Sequence, residues 1–156
     1  MLQVTILMVG KTRQGFIQEG LAFYAKRLRG QLNLSLAWVR EEKEAAGLTA
    51  EVLKAREGAR LAAQIPPRAW TVALTPQGRE LTSEELAAWL TKRELAAQPV
   101  AFLIGGYLGL DTGILAAAQE QLALSRLTLT HELSRLILLE QLYRAITIRC
   151  GHPYHV

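Results

Sequence analysis

The chain has 156 residues, 50% of them hydrophobic and 21% charged, with a formal net charge of +4. This balance excludes a disordered chain, and the single cysteine, Cys150, excludes a disulfide framework and a multi-cysteine zinc site. No apolar run reaches the ~18 residues that mark a membrane span, and Met1–Gly10 has no charged n-region, so a cytoplasmic protein with no membrane partner is expected.

In chain order, Gln3–Val9 is a short apolar run that predicts a strand. Gly15–Arg29 predicts a helix with Phe16, Tyr24, Leu28 and either Leu21 or Phe23 near one face. Leu34–Arg40 predicts a second strand, and Thr49–Gln64, built of good helix formers, a second helix. Pro66-Pro67 marks a turn before a strand over Ala69–Leu74, and Pro76-Gln77-Gly78 marks a turn after it. Thr82–Leu95 opens on a capping box of Thr82 and Glu85 and carries an apolar stripe of Leu86, Trp89 and Leu90. Val100–Ile104 predicts a fourth strand and Thr112–Glu120 a short helix, with Leu122–Thr130 a mixed apolar and hydroxyl stretch. Thr130 is a plausible N-cap for a last helix over His131–Arg149.

Strands alternating with helices predict an α/β fold: a mostly parallel sheet with helices on both faces, in one domain over residues 1–156. The apolar residues of the last helix cover well over half its circumference. Such a helix is either central in its own core or covered by a second subunit, and a homodimer is the expectation.

Charge is unevenly spread. Residues 1–40 hold Lys11, Arg13, Lys26, Arg27, Arg29 and Arg40 against one acid, Glu19. A basic first third suits a polyanion such as RNA, and a solvated basic surface is the plain alternative. Arg126, Arg135 and Arg144 are further candidates for holding an RNA phosphate.

Phe102–Leu110 reads as a buried strand entering a glycine turn, where α/β sheets bind ligands. Glycine lets the backbone approach a ligand closely or take φ > 0, and a plain tight turn is the alternative reading. The spacing is G-G-x-x-G, which is not the dinucleotide fingerprint, and no phosphate-binding P-loop is present. The histidines, His131, His152 and His155, all lie near the C-terminus and have no metal-ligand spacing, with or without Cys150. No metal is expected. The G-x-S-x-G elbow of a covalent hydrolase is absent.

Several of these motifs, taken together and in order, resemble the RlmH family. They are Leu103-Ile104-Gly105-Gly106-x-x-Gly109-Leu110, Leu124-Ser125-x-Leu127-Thr128-Leu129-x-His131, Leu142-Tyr143-Arg144-Ala145 and His152-Pro153-Tyr154-His155. Val9-Gly10-Lys11 and Leu74-Thr75 are similar too, so the resemblance spans essentially the whole chain. Members are SPOUT-type methyltransferases acting on N3 of a pseudouridine of 23S rRNA, in the helix 69 loop, on the ribosome. The resemblance implies a deep C-terminal trefoil knot, a homodimer and S-adenosylmethionine as cofactor. Carried over residue by residue, the cofactor pocket falls on Leu74, Gly105, Gly106 and Leu124, Ser125, Arg126, Leu127, Thr128 and Leu129. Methyl transfer falls on Tyr154 and His155, and RNA contact on Lys11, Arg13 and Arg144. The family usually has Pro-Glu after Gly-Gly, whereas this chain has Tyr107-Leu108 and so lacks that carboxylate. Competing readings are a non-catalytic RNA-binding or ribosome-associated protein on the same fold, and a flavodoxin-like nucleotide-binding domain.

Overall fold

A computed structural model describes residues 1–156. Ten elements alternate along the chain: β1 (Gln3–Val9), α1 (Gly15–Leu28), β2 (Asn33–Val39), α2 (Ala50–Gln64), β3 (Trp70–Glu80), α3 (Ser83–Leu95), β4 (Val100–Ile104), α4 (Thr112–Ala117), β5 (Glu120–Ala123) and α5 (His131–Arg149). The five strands form one sheet in the order β2-β1-β4-β3-β5, and every neighbouring pair is parallel. The central strand β4, Val-Ala-Phe-Leu-Ile, is buried at every position, as a parallel strand covered on both faces must be. This is the α/β architecture read from the sequence. The strand order is consistent with the C-terminal knot that the resemblance implies.

The two faces of the sheet are unequal. Alternate residues of β1 and β4, such as Ile6 and Phe102, point into a large core shared with α1, α3 and α5. Leu7 and Leu103 point the other way, into a smaller cluster that includes Leu61 of α2 and Ile114 of α4. Caps fix the helix starts. The Thr82–Glu85 capping box is formed, and Thr49, Asp111 and Thr130 each accept a backbone N–H of the first turn. Each such cap stabilises its helix by ~1 kcal/mol. No helix is long and apolar enough to cross a membrane.

Four features differ from the sequence reading. On α1 the buried stripe is Ile17, Leu21 and Leu28, while Phe16 and Phe23 are 65% and 48% exposed. Aromatic content misled there, because the stripe facing the sheet is aliphatic. The strand after Pro67 does not stop at Leu74: β3 runs through Pro76-Gln77-Gly78 to Glu80, with a register shift between Leu74 and Arg79 where it pairs with β5. β5 itself was not foreseen, since four residues are too few to show a period, and it takes the last residue of the helix expected over Thr112–Glu120. Lastly, no residue of α5 is exposed, because α1, α3 and the sheet cover it within the chain. The breadth of its apolar surface therefore gives no argument for a second subunit, and Leu139, fully buried, is a core residue.

Candidate functional site

β3, β4 and β5 are neighbours and parallel, so their C-terminal ends share one edge of the sheet. Gly105 and the segment Leu124–Leu129 follow the ends of β4 and β5 there, and Leu74 lies within β3 at the same level. Leu74 pairs with Leu122 and is half-buried beside the main core. Gly105 is buried at the end of β4, and Gly106 begins a tight turn in which the Gly109 N–H donates to the Gly106 carbonyl at 3.0 Å. Gly109 sits at φ +84°, where glycine is favoured.

At position 105 the tight turn itself requires glycine. A Cβ on Gly105 would lie 2.5 Å from the Gly109 carbonyl carbon and 2.7 Å from its oxygen. The turn closes on its own backbone, so Gly105 is needed for the shape of the loop before any ligand arrives. Gly106 is open by comparison: its Cβ would meet Val9 Cγ1 at 3.2 Å.

The segment after β5 is shaped for recognition by backbone. Leu124, Ser125 and Leu129 are half-buried, while Arg126, Leu127 and Thr128 are exposed. The Leu127 N–H donates to Ser125 Oγ at 3.0 Å, and no other hydrogen bond within the chain engages residues 125–129. A loop of free N–H and C=O groups between leucines can read the edge of a purine and pack on its face. The Arg126 side chain is 87% exposed and 3.9 Å from Glu80 Oε1, which leaves it on the rim.

Lys11 and Arg13 follow β1 at the same edge. Lys11 lies over the Trp38 ring at 5.0 Å. The Arg13 guanidinium pairs with Glu41, and its backbone N–H donates to Glu132 Oε1 at 2.8 Å. Glu132 also accepts from Gln14 N–H at 2.9 Å. Burial opposes its ionisation, yet these N–H donors and the Arg135 charge leave its pKa below the usual range. Arg135, 1% exposed, donates to the Val9 carbonyl at 2.6 Å and to Thr12 Oγ1 at 2.8 Å. It clamps α5 to the end of β1 and has no surface to offer a phosphate, which corrects one of the three arginine candidates.

The tail lies elsewhere. The Tyr154 hydroxyl is 3.4 Å from that of Tyr24 and donates to Glu140 Oε1 at 3.1 Å. Its ring packs edge-on to Tyr143 at 4.8 Å and under Arg144 at 4.8 Å. Bonds to Tyr24 and Glu140, with burial, push the Tyr154 pKa well above the usual phenol value. His155 meets Glu84 Oε1 through Nε2 at 2.8 Å and Arg144 Nη1 through Nδ1 at 3.3 Å. Arg144 in turn pairs with Glu140 at 2.5 Å. Tyr154, His155 and Arg144 are thus brought together on α1, α3 and α5. None of their hydrogen bonds reaches the glycine turn or residues 124–129 of the same chain.

The SPOUT family model, described as "Predicted SPOUT methyltransferase", matches residues 2–155. The chain belongs to the SPOUT methyltransferase family. It is 45% identical over 155 residues to the ribosomal RNA large subunit methyltransferase H of Geobacter metallireducens, covering 99% of each chain. It is 40% identical over 158 residues to the protein of that name from Carboxydothermus hydrogenoformans, again over 99% of each. A crystal structure of a probable methyltransferase from Bordetella pertussis shares the fold, with a TM-score of 0.57 at 12% identity over 93% of this chain and 96% of that one.

Two residues of this SPOUT edge escaped sequence reasoning. A Cβ on Gly78 would lie 2.7 Å from the backbone of Gln121 and Leu122, so glycine lets β3 and β5 touch where β3 changes register. The only sequence signal was Pro-Gln-Gly, which reads as an ordinary turn. Glu57 of α2 is 3% exposed; its Oε2 accepts the Glu42 N–H at 3.0 Å, and its Oε1 has no partner. That orphan oxygen is 3.8 Å from the position of a Cβ on Gly106. Burial pushes the Glu57 pKa up; the Glu42 N–H lowers it and the Glu41 charge raises it further. A carboxyl group thus backs the glycine turn from α2, although Tyr107-Leu108 supplies none. The Tyr107 hydroxyl instead donates to Glu44 Oε1 at 2.6 Å.

Proposed function

We propose that the protein transfers a methyl group from S-adenosylmethionine to N3 of a pseudouridine in the helix 69 loop of 23S rRNA on the ribosome. The observation that carries the reading is the set of three adjacent parallel strands bearing Leu74, the Gly105–Gly109 turn and a loop of free backbone groups. The name of relatives 45% and 40% identical over 99% of each chain, ribosomal RNA large subunit methyltransferase H, supports the RNA substrate.

The residues fit the cofactor. Leu124 and Leu129 offer apolar faces to an adenine, and the backbone of residues 125–129 offers donors and acceptors to its edge. Gly106 keeps the turn low beside it. Arg126 contributes from the rim only. When bound, the cofactor supplies an electrophilic sulfonium methyl group, so the protein's task is mainly to align the target nitrogen. The imide N3 must also lose its proton. His155 is the proposed acceptor, its imidazole held beside Tyr154 by Glu84 and Arg144. Tyr154 is the proposed platform and hydrogen-bond donor for the base; its raised pKa keeps the hydroxyl protonated. Arg144 holds both tail residues, and with Lys11 and Arg13 it is a proposed RNA contact.

The tail reaches none of its own chain's cofactor loops by hydrogen bond, so a homodimer in which it serves a neighbouring site completes the reading. The apolar surface for a second copy is on α1, where Phe16 and Phe23 are exposed and Phe23 packs on Tyr24, which meets the tail. Sedimentation at micromolar concentration tests the dimer.

The experiment that tests the function is methyl transfer from radiolabelled cofactor to 70S ribosomes, with mapping of the modified nucleotide. Saturable labelling at one helix 69 pseudouridine is expected. No labelling, with no calorimetric binding of S-adenosylmethionine, would favour a non-catalytic RNA-binding protein on this fold.

A further inference from the structure

The methyl-transfer site makes no use of the groove between α1 and β2. β2 is an edge strand, paired on one side only. Beside it lies a groove of about 510 Å³, walled on α1 by Ala22, Ala25, Lys26 and Arg29 and on β2 by Leu34 and Leu36. Alternation puts Trp38 on the same face of β2 as Leu34 and Leu36. Trp38 is 49% exposed and Leu36 38%. An exposed indole on an open strand edge is a liability unless something covers it.

The charges say what covers it. Lys11, over the Trp38 ring, and Lys26 and Arg29, on the α1 wall, are exposed and have no acidic partner. Arg13, Arg60, Arg144 and Arg149 are each held by a carboxylate, whereas Arg40, Lys43, Lys54, Arg68 and Lys92, scattered elsewhere, are not. The α1 helix itself carries one acid, Glu19. A second copy of this chain would bring the same basic rim and set like charges together. A narrow floor of alanine and leucine, a flat ring at one end and unpaired cations along the wall suit a single nucleic-acid strand, whose bases stack and whose phosphates need neutralising.

We propose that this groove holds a single-stranded segment of the RNA substrate, with one unpaired base stacked on Trp38 and backbone phosphates met by Lys11, Lys26 and Arg29. The inference rests on the RNA methyl-transfer reading and extends it. Trp38 lies at the same sheet edge as the glycine turn, two strand spacings from β4, or ~10 Å. The bound strand thus flanks the nucleotide to be modified and is gripped without regard to its sequence.

The probe is a fluorescein-labelled dodecauridylate, followed by anisotropy across a salt series. Trp38→Ala weakens its binding by roughly 5- to 100-fold, the range for losing one stacked base, and Trp38→Phe recovers most of the loss. The double variant Lys26→Glu, Arg29→Glu flattens the dependence of log K on log salt by about 1.4, two phosphate contacts' worth. S-adenosylmethionine affinity and thermal melting stay at parental values in all three. Equal oligonucleotide affinity for the parent and Trp38→Ala overturns the groove, as does a change in sedimentation coefficient on Trp38→Ala, which would assign the patch to self-association. Ribosome methylation separates this inference from the one beneath it. A parent that methylates ribosomes while Trp38→Ala matches it in KM and oligonucleotide affinity keeps the enzyme and discards the groove. A parent that grips the oligonucleotide through Trp38 and transfers no methyl keeps the groove and discards the enzyme.

Discussion

The glycine turn and the C-terminal tail are held in place by different means. At the turn, backbone touches backbone: Gly105 closes on Gly109, and Gly78 lets β3 touch β5. No rotamer change can loosen such contacts. Past His152, whose N–H donates to the Thr147 carbonyl, the tail is held by side chains, through Tyr24, Glu140, Arg144 and Glu84, at the partly exposed ends of flexible groups. Exposed pairs of this kind contribute ~0–1 kcal/mol each. One end of the proposed reaction is therefore a rigid mould, and the other is a set of contacts that can be exchanged for a base or a neighbouring subunit.

Gly105→Val gives the largest effect expected from this contrast. Its Cβ meets backbone, so the turn must open; we expect a loss of about 3 kcal/mol or more in stability along with loss of cofactor binding. Chemical denaturation and calorimetry check it, and a fully stable variant that merely fails to bind would show that the turn is not self-closing. Deletion of Tyr154–Val156 should do the reverse. Stability and cofactor affinity stay within a few-fold, while turnover on ribosomes falls roughly 10²-fold, the scale for losing a positioned acid–base group. Steady-state kinetics would break the contrast if the truncated protein turned over at the parental rate.

The smallest effect concerns Glu57, which lies behind the mould. Its pKa in the folded protein is raised by burial, so folding favours its protonated form. Stability from this group is present below its ordinary value of 4.5 and is lost as pH rises through the folded value. Glu57→Gln lacks that loss. The variant should gain on the parent as pH rises above 4.5, because its amide stays neutral where the buried carboxyl must ionise. Melting curves from pH 4 to 8 check the sign, and a difference that does not move with pH would mean Glu57 stays in one protonation state throughout.

Four of the five strands were legible because each opens on a short apolar run flanked by Gly, Pro or charge, and α3 and α5 because Thr82 and Thr130 announce their starts. The candidate site was legible only in part. Gly105 stood out, but its reason did not, since a close approach by Gly109 looks the same in sequence as a close approach by a ligand. β5 and Gly78 stayed hidden because their pairing is decided by a register shift between segments some forty residues apart. Glu57 sits in a helix that reads as a polar surface, and only the packing of α2 over the turn buries it. The resemblance named the tail residues, yet nothing local says that they rest on Tyr24 and Glu84.

The two backbone bonds accepted by Glu132 also bear on how the chain is made. Gln14 is the N-cap residue of α1 and its side chain makes no capping bond; its own N–H instead donates to a carboxylate from α5, 118 residues later in the sequence. Arg135 adds its bonds to Val9 and Thr12 from the same distant helix. Contacts of such span form late, because a long loop must close first. A chain ending before Thr130 would lack these partners and leave the apolar stripe of α1 without the cover that α5 supplies.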